Sequence, residues 1–182
     1  AMITEGTTEA LTTDYAYIMN DDGTISVSGY TGSDTDLTVP GLIDGYVVTG
    51  IADHAFEANA DIKSITLPNG LITIGESAFS DCSSLTTVVI PDTVGTIRRG
   101  AFISCTALTT LDIPASVTEI MEEAFTGCAA LKDLTVESST VEFTNWWVDT
   151  DEIPSDLTIT CPKDSKIAAW AEKNNVATEP LS

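Results

Sequence analysis

Three of the four cysteines in the sequence are equally spaced. Cys82, Cys105 and Cys128 follow one another at steps of 23 residues, and Cys161 stands outside this series. Zinc sites are built from close pairs of cysteine or histidine ligands, and that spacing is absent here. Equal spacing instead predicts three free thiols at equivalent places of a repeated structure. Disulfide bonds or a metal site are the less favoured alternatives.

His54 is the sole histidine, and no motif of a known catalytic centre accompanies it. A nucleophilic cysteine needs a base within hydrogen-bond reach. Because Cys82 belongs to the repeated series, a catalytic pair of Cys82 and His54 is not favoured. The sequence also lacks GxSxG, HExxH, a P-loop and a dinucleotide-binding fingerprint. It therefore predicts a protein that is not an enzyme and that holds no cofactor.

An acidic run near the C-terminal end is the candidate site for calcium. Asp149, Asp151 and Glu152 place three carboxylates close together, and Ca²⁺ prefers oxygen ligands. The spacing and the glycine of an EF-hand loop are missing. A solvated acidic run is the favoured interpretation, and a calcium ion is the alternative.

Two tryptophans, Trp146 and Trp147, precede that run. Large aromatic side chains in this place could fill space near the end of the fold. Alternatively, Trp146 could be an exposed platform for a sugar or a protein loop, since tryptophan is favoured at interfaces. Packing is the favoured interpretation, but Trp146 is also a candidate partner contact.

The charge of the chain excludes several partner classes. There are 28 acidic and 7 basic residues, for a formal net charge of −21, and residues 1–62 hold 11 acids and no lysine or arginine. Binding of DNA, RNA or anionic lipid needs clustered basic residues. No apolar run is long enough to span a membrane, and the first ten residues lack the pattern of a signal peptide. Nucleic acid and membrane insertion are therefore not expected.

The residues above belong to an internal repeat. Residues 78–91 read AFSDCSSLTTVVIP and residues 101–114 read AFISCTALTTLDIP. The same 23-residue step relates further apolar positions, which include Phe56, Phe79, Phe102 and Phe125, then Ile65, Val88, Leu111, Leu134 and Leu157, then Leu67, Ile90, Ile113, Val136 and Ile159. A fixed period over this many positions predicts a solenoid of stacked coils.

The spacing within one unit predicts a short strand. In LTTVVI, alternation places Val88 and Ile90 on one face and Thr87 and Val89 on the other. Copies stacked at about 4.8 Å form a parallel ladder with one continuous core. Burying each apolar side chain stabilises the folded state by roughly 1.5–3 kcal/mol. Only the neighbouring coils can bury the apolar face of a coil.

The two ends of the repeat carry different capping signals. Residues 15–30 alternate around Asp22 and Gly23, which predicts a β-hairpin. At the other end, Asp164 or Ser165 could cap a helix whose apolar side chains share one face, namely Ile167, Trp170 and Ala171. The first repeat has five extra residues, and Asp44 with Gly45 predicts a small protruding turn there. The 23-residue step places Trp147 at the alanine position and Val148 at the phenylalanine position of the last repeat.

The repeated pattern resembles that of the BspA-like leucine-rich repeat family of bacterial surface proteins. The resemblance is carried by LTTVVIPDTVGTIRRGAFISC (85–105) and LTTLDIPASVTEIMEEAFTGC (108–128), with the opening stretch 15–56 and the closing stretch 157–176. It implies an α/β fold: a leucine-rich-repeat solenoid of short parallel strands and loops with a hairpin cap and a helical cap. We expect one domain, with a flexible tail at 1–14, a hairpin cap at 15–36, repeats at 37–160 and a C-terminal cap at 161–182.

The resemblance also implies a function. It favours a cell-surface or secreted bacterial protein that mediates adhesion, with a host matrix or cell-surface protein as partner; a structural spacer within a larger surface protein is the alternative. Solenoids recognise proteins through extended faces, so the outward side of the strands is the candidate contact surface. The candidate partner-binding residues are Thr87, Val89, Thr110, Asp112, Asp133, Thr135 and Trp146.

Overall fold

The structure, a computed structural model, describes residues 14–147 and 149–182, and the predicted flexible tail therefore lies almost wholly outside the described residues. The strands are Tyr15–Met19 (β1), Ile25–Tyr30 (β2), Asp36–Thr38 (β3), Leu42–Ile43 (β4), Tyr46–Ile51 (β5), Ser64–Thr66 (β6), Thr73–Ile74 (β7), Thr87–Val89 (β8), Thr96–Ile97 (β9), Thr110–Ile113 (β10), Glu119–Ile120 (β11), Asp133–Val136 (β12), Glu142–Phe143 (β13), Thr158–Cys161 (β14) and Ala177–Pro180 (β15). A helix, Lys166–Lys173 (α1), and a short 3-10 helix, Thr150–Glu152, complete the elements.

Each coil of the chain contributes one strand to each of two parallel ladders. The first ladder comprises β3, β6 and β8, beside which β10, β12, β14 and β15 continue. The second ladder runs β2, β5, β7, β9, β11 and β13, and the antiparallel β1 lies at its N-terminal edge. Within both ladders the central coils pair in register at the 23-residue step, as Leu111 does with Leu134 and Ile74 with Ile97. The predicted solenoid is confirmed.

The core lies between the two ladders and the connecting loop. Alternation in the strands is as predicted: Val88 and Ile90 are buried, whereas Val89 is 49% exposed. The phenylalanines stack in one column, with ring centroids 5.3 Å apart for Phe56 and Phe79, 5.4 Å for Phe79 and Phe102, and 6.1 Å for Phe102 and Phe125. Each coil therefore covers the apolar side of its neighbour.

Two residues in each loop have a left-handed backbone. The first is held by His54, Ser77, Gly100 and Glu123, at φ of 60°, 50°, 59° and 60°. The second is held by Ala58, Asp81, Ser104 and Gly127, at φ of 58°, 58°, 58° and 75°. Side chains with a Cβ rarely adopt this conformation, because the Cβ crowds the neighbouring carbonyl. The turn geometry that stacks the loops therefore carries a conformational cost in each coil, and it accounts for the position of His54.

The N-terminal cap is the predicted hairpin. Strands β1 and β2 are antiparallel, and the turn between them is held by Asp22, whose carboxylate accepts hydrogen bonds from the amide and the hydroxyl of Thr24. Strand β2 then pairs in parallel with β5. The insertion of five residues in the first repeat is accommodated by the short antiparallel pairing of β4 with the start of β5, with Asp44 and Gly45 at the turn at φ of 51° and 83°. The predicted protruding turn is confirmed.

The last coil departs from the 23-residue step in two places. The amide of Phe125 donates to the carbonyl of Trp146, whereas Phe102 donates to Ala124. Trp146 rather than Trp147 thus takes the alanine position, and the predicted alignment of Trp147 is wrong by one residue; Val148 lies outside the described residues.

The second departure is in the first ladder, where Leu134 pairs with Ile159 and not with the predicted Leu157. The 3-10 helix between the tryptophans and β14 lengthens the path of the chain, and this added length explains the shift.

The C-terminal cap is a helix followed by a strand. Ser165 caps α1 by accepting a hydrogen bond from the amide of Ala168, and Ile167 and Ala171 are buried as predicted. The sequence analysis did not predict β15, which returns after the helix and pairs in parallel with β14. This strand is exposed along its length and ends in Pro180, which has no amide hydrogen to offer to a further strand.

Candidate interaction surface

The three equally spaced cysteines form a buried column of hydrogen-bonded thiols. Each Sγ donates to a carbonyl oxygen of the preceding coil at 3.1 Å; the pairs are Cys82 with Phe56, Cys105 with Phe79, and Cys128 with Phe102. Asn59 opens the column, and its side-chain oxygen accepts from the amides of Asp61 and Ile62. All four cysteines are free and buried. The predicted structural thiols are confirmed.

Burial disfavours the thiolate form of these cysteines. It raises the pKa of Cys82 and of Cys128 to about 12, and it raises the pKa of Cys105 as well. Cys161, on β14, is also buried and its pKa is likewise raised. The thiolate is the nucleophile and the metal ligand. At neutral pH the thiols are therefore suited to neither chemistry.

The other residues considered for catalysis or metal binding, His54 and the acidic run near the C-terminal end, do not form a site. The imidazole of His54 is exposed, and its Nδ1 lies 3.0 Å from the carboxylate of Glu57, not beside a thiol. Among the described residues there is no group of three or more His, Cys, Asp or Glu side chains able to hold a metal ion. Asp149, Asp151 and Glu152 are exposed to solvent. The geometry thus offers no support for the calcium alternative.

Trp146 is not an exposed platform, and its prediction as a partner contact is wrong. Its side chain is 0% exposed and that of Trp147 is 5% exposed. The Trp146 ring packs against Phe143 at 4.8 Å, Trp170 at 5.0 Å and Trp147 at 5.3 Å between centroids. Both indole nitrogens are buried, and neither has a hydrogen-bond partner among the described residues. The tryptophans fill the space between the last coil and the C-terminal cap, as the packing interpretation predicted.

The other six candidate contact residues lie together on the outward side of the first ladder. We call this group the ladder face; its residues are Thr87, Val89, Thr110, Asp112, Asp133 and Thr135. Strand pairing places Thr110 beside Asp133 and Asp112 beside Thr135, and β8 lies next to β10. Five of the side chains are exposed and Thr135 is half-buried. Small hydroxyls and carboxylates held on rigid strands suit contact with a polar protein surface.

A second exposed surface lies at the N-terminal end, and sequence reasoning missed it. It consists of exposed apolar side chains on β1, on the β4–β5 hairpin and in the next coil. These are Ile18 (53% exposed), Met19 (53%), Leu42 (59%), Tyr46 (41%), Val47 (47%) and Ile72 (54%), and we call them the N-terminal apolar surface. The stretch LIDGYVV (42–48), which contains the five-residue insertion of the first repeat, was the available signal, because it adds apolar side chains outside the repeat pattern.

A shallow cavity of about 390 Å³ adjoins this surface, with Ile18 and Ile72 in its lining. Its polar side is a network in which Asn20 donates to the hydroxyls of Thr24 and Thr49 and accepts from Ser26. These bonds hold the β1–β2 turn against β5. The network is satisfied internally, and it therefore supports the position of the hairpin.

Comparisons with known proteins agree with this architecture. The fold is similar to that of a leucine-rich repeat protein of T. pallidum, with a TM-score of 0.76 and 25% identity over 84% of this chain and 71% of that chain. A leucine-rich repeat protein of Bacteroides capillosus is 32% identical, with a TM-score of 0.61 over 66% of this chain and 92% of that one. A leucine-rich cell-surface protein of Faecalibacterium prausnitzii is 29% identical, with a TM-score of 0.59 over 91% of this chain and 45% of that one. No protein with a curated description matches the sequence.

The repeat itself identifies the family. Six copies of the BspA type leucine-rich repeat region match residues 48–158. Proteins with this repeat and fold are typically non-enzymatic binding modules, and the solenoid is consistent with a protein-interaction module. No helix in the described part of the chain is both long and apolar enough to cross a membrane. The chain belongs to the BspA-type leucine-rich repeat family.

Proposed function

We propose that this protein is a non-enzymatic module of a bacterial cell-surface or secreted protein that mediates adhesion. It binds a host matrix protein or a protein on another cell surface through the ladder face. The observation that carries this proposal is the register of exposed Asp112 and Asp133 with threonines on adjacent rigid strands. A backbone fixed by strand pairing loses little conformational freedom on binding, which favours recognition.

The proposed location follows from the family and from one solved relative. BspA-type repeats match most of the chain, and the Faecalibacterium prausnitzii protein of the same fold is described as a cell-surface protein. An extracellular or cell-surface position would bring the ladder face into contact with matrix proteins.

A structural spacer is the alternative function. The ladder face carries no aromatic or arginine side chain, and such side chains supply most of the binding energy at protein interfaces. A module that only holds another domain away from the cell would need nothing more than the stacked coils.

Binding to a panel of purified extracellular-matrix proteins tests the proposal. Asp112→Lys changes the centre of the ladder face, and Glu119→Lys makes the same change in charge at an exposed site of the second ladder. We expect a matrix protein captured by the unmodified chain to lose affinity by about tenfold or more with Asp112→Lys and to keep it with Glu119→Lys. Equal loss in both variants would contradict a specific ladder-face contact, and no capture by the unmodified chain would favour the spacer.

A further inference from the structure

Strand β1 is an open edge of the second ladder. Among the described residues it pairs with β2 alone, so that the other side of its backbone has amide and carbonyl groups available. Proteins usually protect such an edge with proline, lysine or an irregular backbone. The sequence of β1, YAYIM, contains neither proline nor lysine, and Ile18 and Met19 are each 53% exposed. The register of β1 with β2 shifts once, between Ala16 and Tyr17, where the extra residue, Ser28, belongs to β2 and not to the open edge. The edge is therefore suited to accept a further strand.

The protruding hairpin adds a wall beside this edge. The rings of Tyr17 and Tyr46 are 6.2 Å apart between centroids, and the hydroxyl of Tyr17 donates to the carboxylate of Asp44 at 2.9 Å. Leu42 and Val47 are paired across the hairpin, and both are exposed. These contacts connect β1 to the rest of the N-terminal apolar surface. A strand added at the edge would meet apolar side chains as well as backbone groups.

The charged residues at the two ends of β1 and against Tyr17 are acidic. Asp14 precedes β1, Asp21 and Asp22 form its turn, and Asp44 lies against Tyr17. No lysine or arginine precedes Lys63 in the chain. The basic side chain that lines the adjoining cavity, Arg98, is already paired with Asp53 at 3.7 Å. A partner at this edge therefore meets negative charge, and cationic side chains complement it.

We propose that β1 and the N-terminal apolar surface bind an extended segment of a partner protein, in which lysine or arginine alternates with apolar residues. The segment adds a strand to the open edge of β1, and main-chain hydrogen bonds provide most of the attachment. Its apolar side chains lie on one face of the added strand and contact Met19 and the β4–β5 hairpin, on the side where Tyr17 meets Tyr46. Its cationic side chains lie near the aspartates at both ends of β1.

Charge distinguishes this occupant from the other two strands that could fill the edge. A second copy of the chain carries a net charge of −21 and would bring the same aspartates against their equals. Residues 1–13 of the chain itself hold two glutamates and no basic residue. Like charges oppose both arrangements, whereas a cationic segment is attracted.

Fluorescence anisotropy with the full chain tests the proposal. The probe is a labelled peptide in which lysine and valine alternate over about ten residues. One control peptide replaces lysine by glutamate, and the other carries N-methyl groups on consecutive amides, so that neither of its edges can pair with a strand. We expect the lysine peptide to bind at least about tenfold more tightly than either control. Affinity should also fall severalfold when salt rises from about 50 to about 500 mM.

A matched pair of variants locates the site. Ile18→Lys places a positive charge on the edge, while Val89→Lys makes the same change at a similarly exposed position of the ladder face, 49% against 53% exposed. We expect Ile18→Lys to weaken peptide binding by about tenfold and Val89→Lys to leave it within about twofold. Hydrogen exchange of the unmodified chain provides a readout that needs no variant, and the peptide should slow exchange in residues 15–19.

Several outcomes would overturn the proposal. These are equal binding of the N-methylated peptide, equal effects of the two variants, and unchanged exchange in β1. Dimerisation of the unmodified chain that Ile18→Lys abolishes would assign the edge to a second copy instead. Since the ladder face and β1 belong to different ladders, loss of the adhesion function in Asp112→Lys and loss of peptide binding in Ile18→Lys are independent results.

Discussion

The two ends of the solenoid are closed in different ways. At the C-terminal end, Trp146, Trp147 and Trp170 fill the space under the helix, and the last strand finishes with Pro180. At the N-terminal end a hairpin closes the stack, but Ile18 and Met19 on it remain about half exposed. One end is thus completed by internal aromatic packing and an edge strand that finishes in proline, whereas the other, among the described residues, keeps apolar side chains in solvent beside an edge without proline or lysine.

This difference distinguishes the features that the repeated core needs for stability from those that a partner would recognise. Both caps protect the same kind of repeated core, because every coil would otherwise expose its apolar side. The C-terminal cap does so with no large exposed apolar side chain other than Leu181 among the described residues. Exposed apolar side chains at the N-terminal end are therefore not a requirement of capping, and the partner segment proposed for β1 would give them a role.

The largest expected effect tests the packing of the C-terminal end. Trp146→Ala removes a fully buried ring and should lower the free energy of unfolding by about 3–5 kcal/mol. Tyr46→Ala, its counterpart at the N-terminal end, removes a ring that is 41% exposed and should cost about 1 kcal/mol or less. Urea unfolding followed by circular dichroism measures both. Equal losses would remove the proposed contrast between the ends.

Alkaline pH should weaken both ends. Burial and neighbouring groups raise the pKa of Tyr15 to about 12, and burial raises the pKa of Cys161. Because the folded state favours the protonated forms, their stabilisation is complete below the unfolded pKa values and is lost as pH rises above them. Those values are about 8.5 for cysteine and about 10 for tyrosine. The urea midpoint should fall above about pH 9, and buried Cys82 and Cys128 contribute to the same decline.

Single replacements show how much of the loss of stability at alkaline pH comes from each end. Tyr15→Phe should reduce the loss above about pH 10, and Cys161→Ala should reduce the loss that begins near pH 9. A midpoint that stays constant to pH 11 would contradict the raised pKa values.

A smaller effect compares equivalent left-handed positions near the two ends. In Gly127→Ala the new Cβ would lie 3.1 Å from the hydroxyl oxygen of Ser104, at a φ of 75°, and we expect a loss of about 1–2 kcal/mol. Ala58→Gly relieves the same backbone conformation in the first coil and should gain up to about 1 kcal/mol. The thermal and urea unfolding midpoints of the two variants should shift in opposite directions. A shift in the same direction would show that the left-handed conformation does not determine the change in stability.

The smallest effect concerns the ion pair between Lys166 and Glu142 at the C-terminal end. Both side chains are more than half exposed, and exposed ion pairs contribute little because solvent and salt screen them. Lys166→Gln should leave the urea midpoint unchanged within error. A clear loss would mean that the C-terminal cap depends on charge as well as on aromatic packing.

Much of the solenoid follows from the spacing of its residues. Phe79, Phe102 and Phe125 share a period, and the period alone predicts the stack that the structure contains. The hairpin, the turn at Asp44 and the capped helix were also predictable, because each depends on short local signals. The last coil was not, since the period cannot show that Trp146 replaces an alanine while a 3-10 helix lengthens the loop.

The interaction surfaces were harder to predict. Alternation correctly placed Thr87 and Val89 on the outward side, but the same rule cannot tell whether Ile18 or Leu42 is covered by another part of the chain. That depends on where β1 and the protruding hairpin lie, which is a property of the assembled fold. Strand β15 was missed for a similar reason, because its sequence ATEP has no apolar alternation and pairs only through its backbone.

The phenylalanine column gives each coil the same contact with the next. Successive ring planes differ by only 5° to 10° and the centroids lie 5.3 to 6.1 Å apart, which is the range of offset stacking. Because each ring contacts only the rings of its two neighbours, the stack is modular: a 23-residue coil inserted in the middle would meet the same surface on both sides.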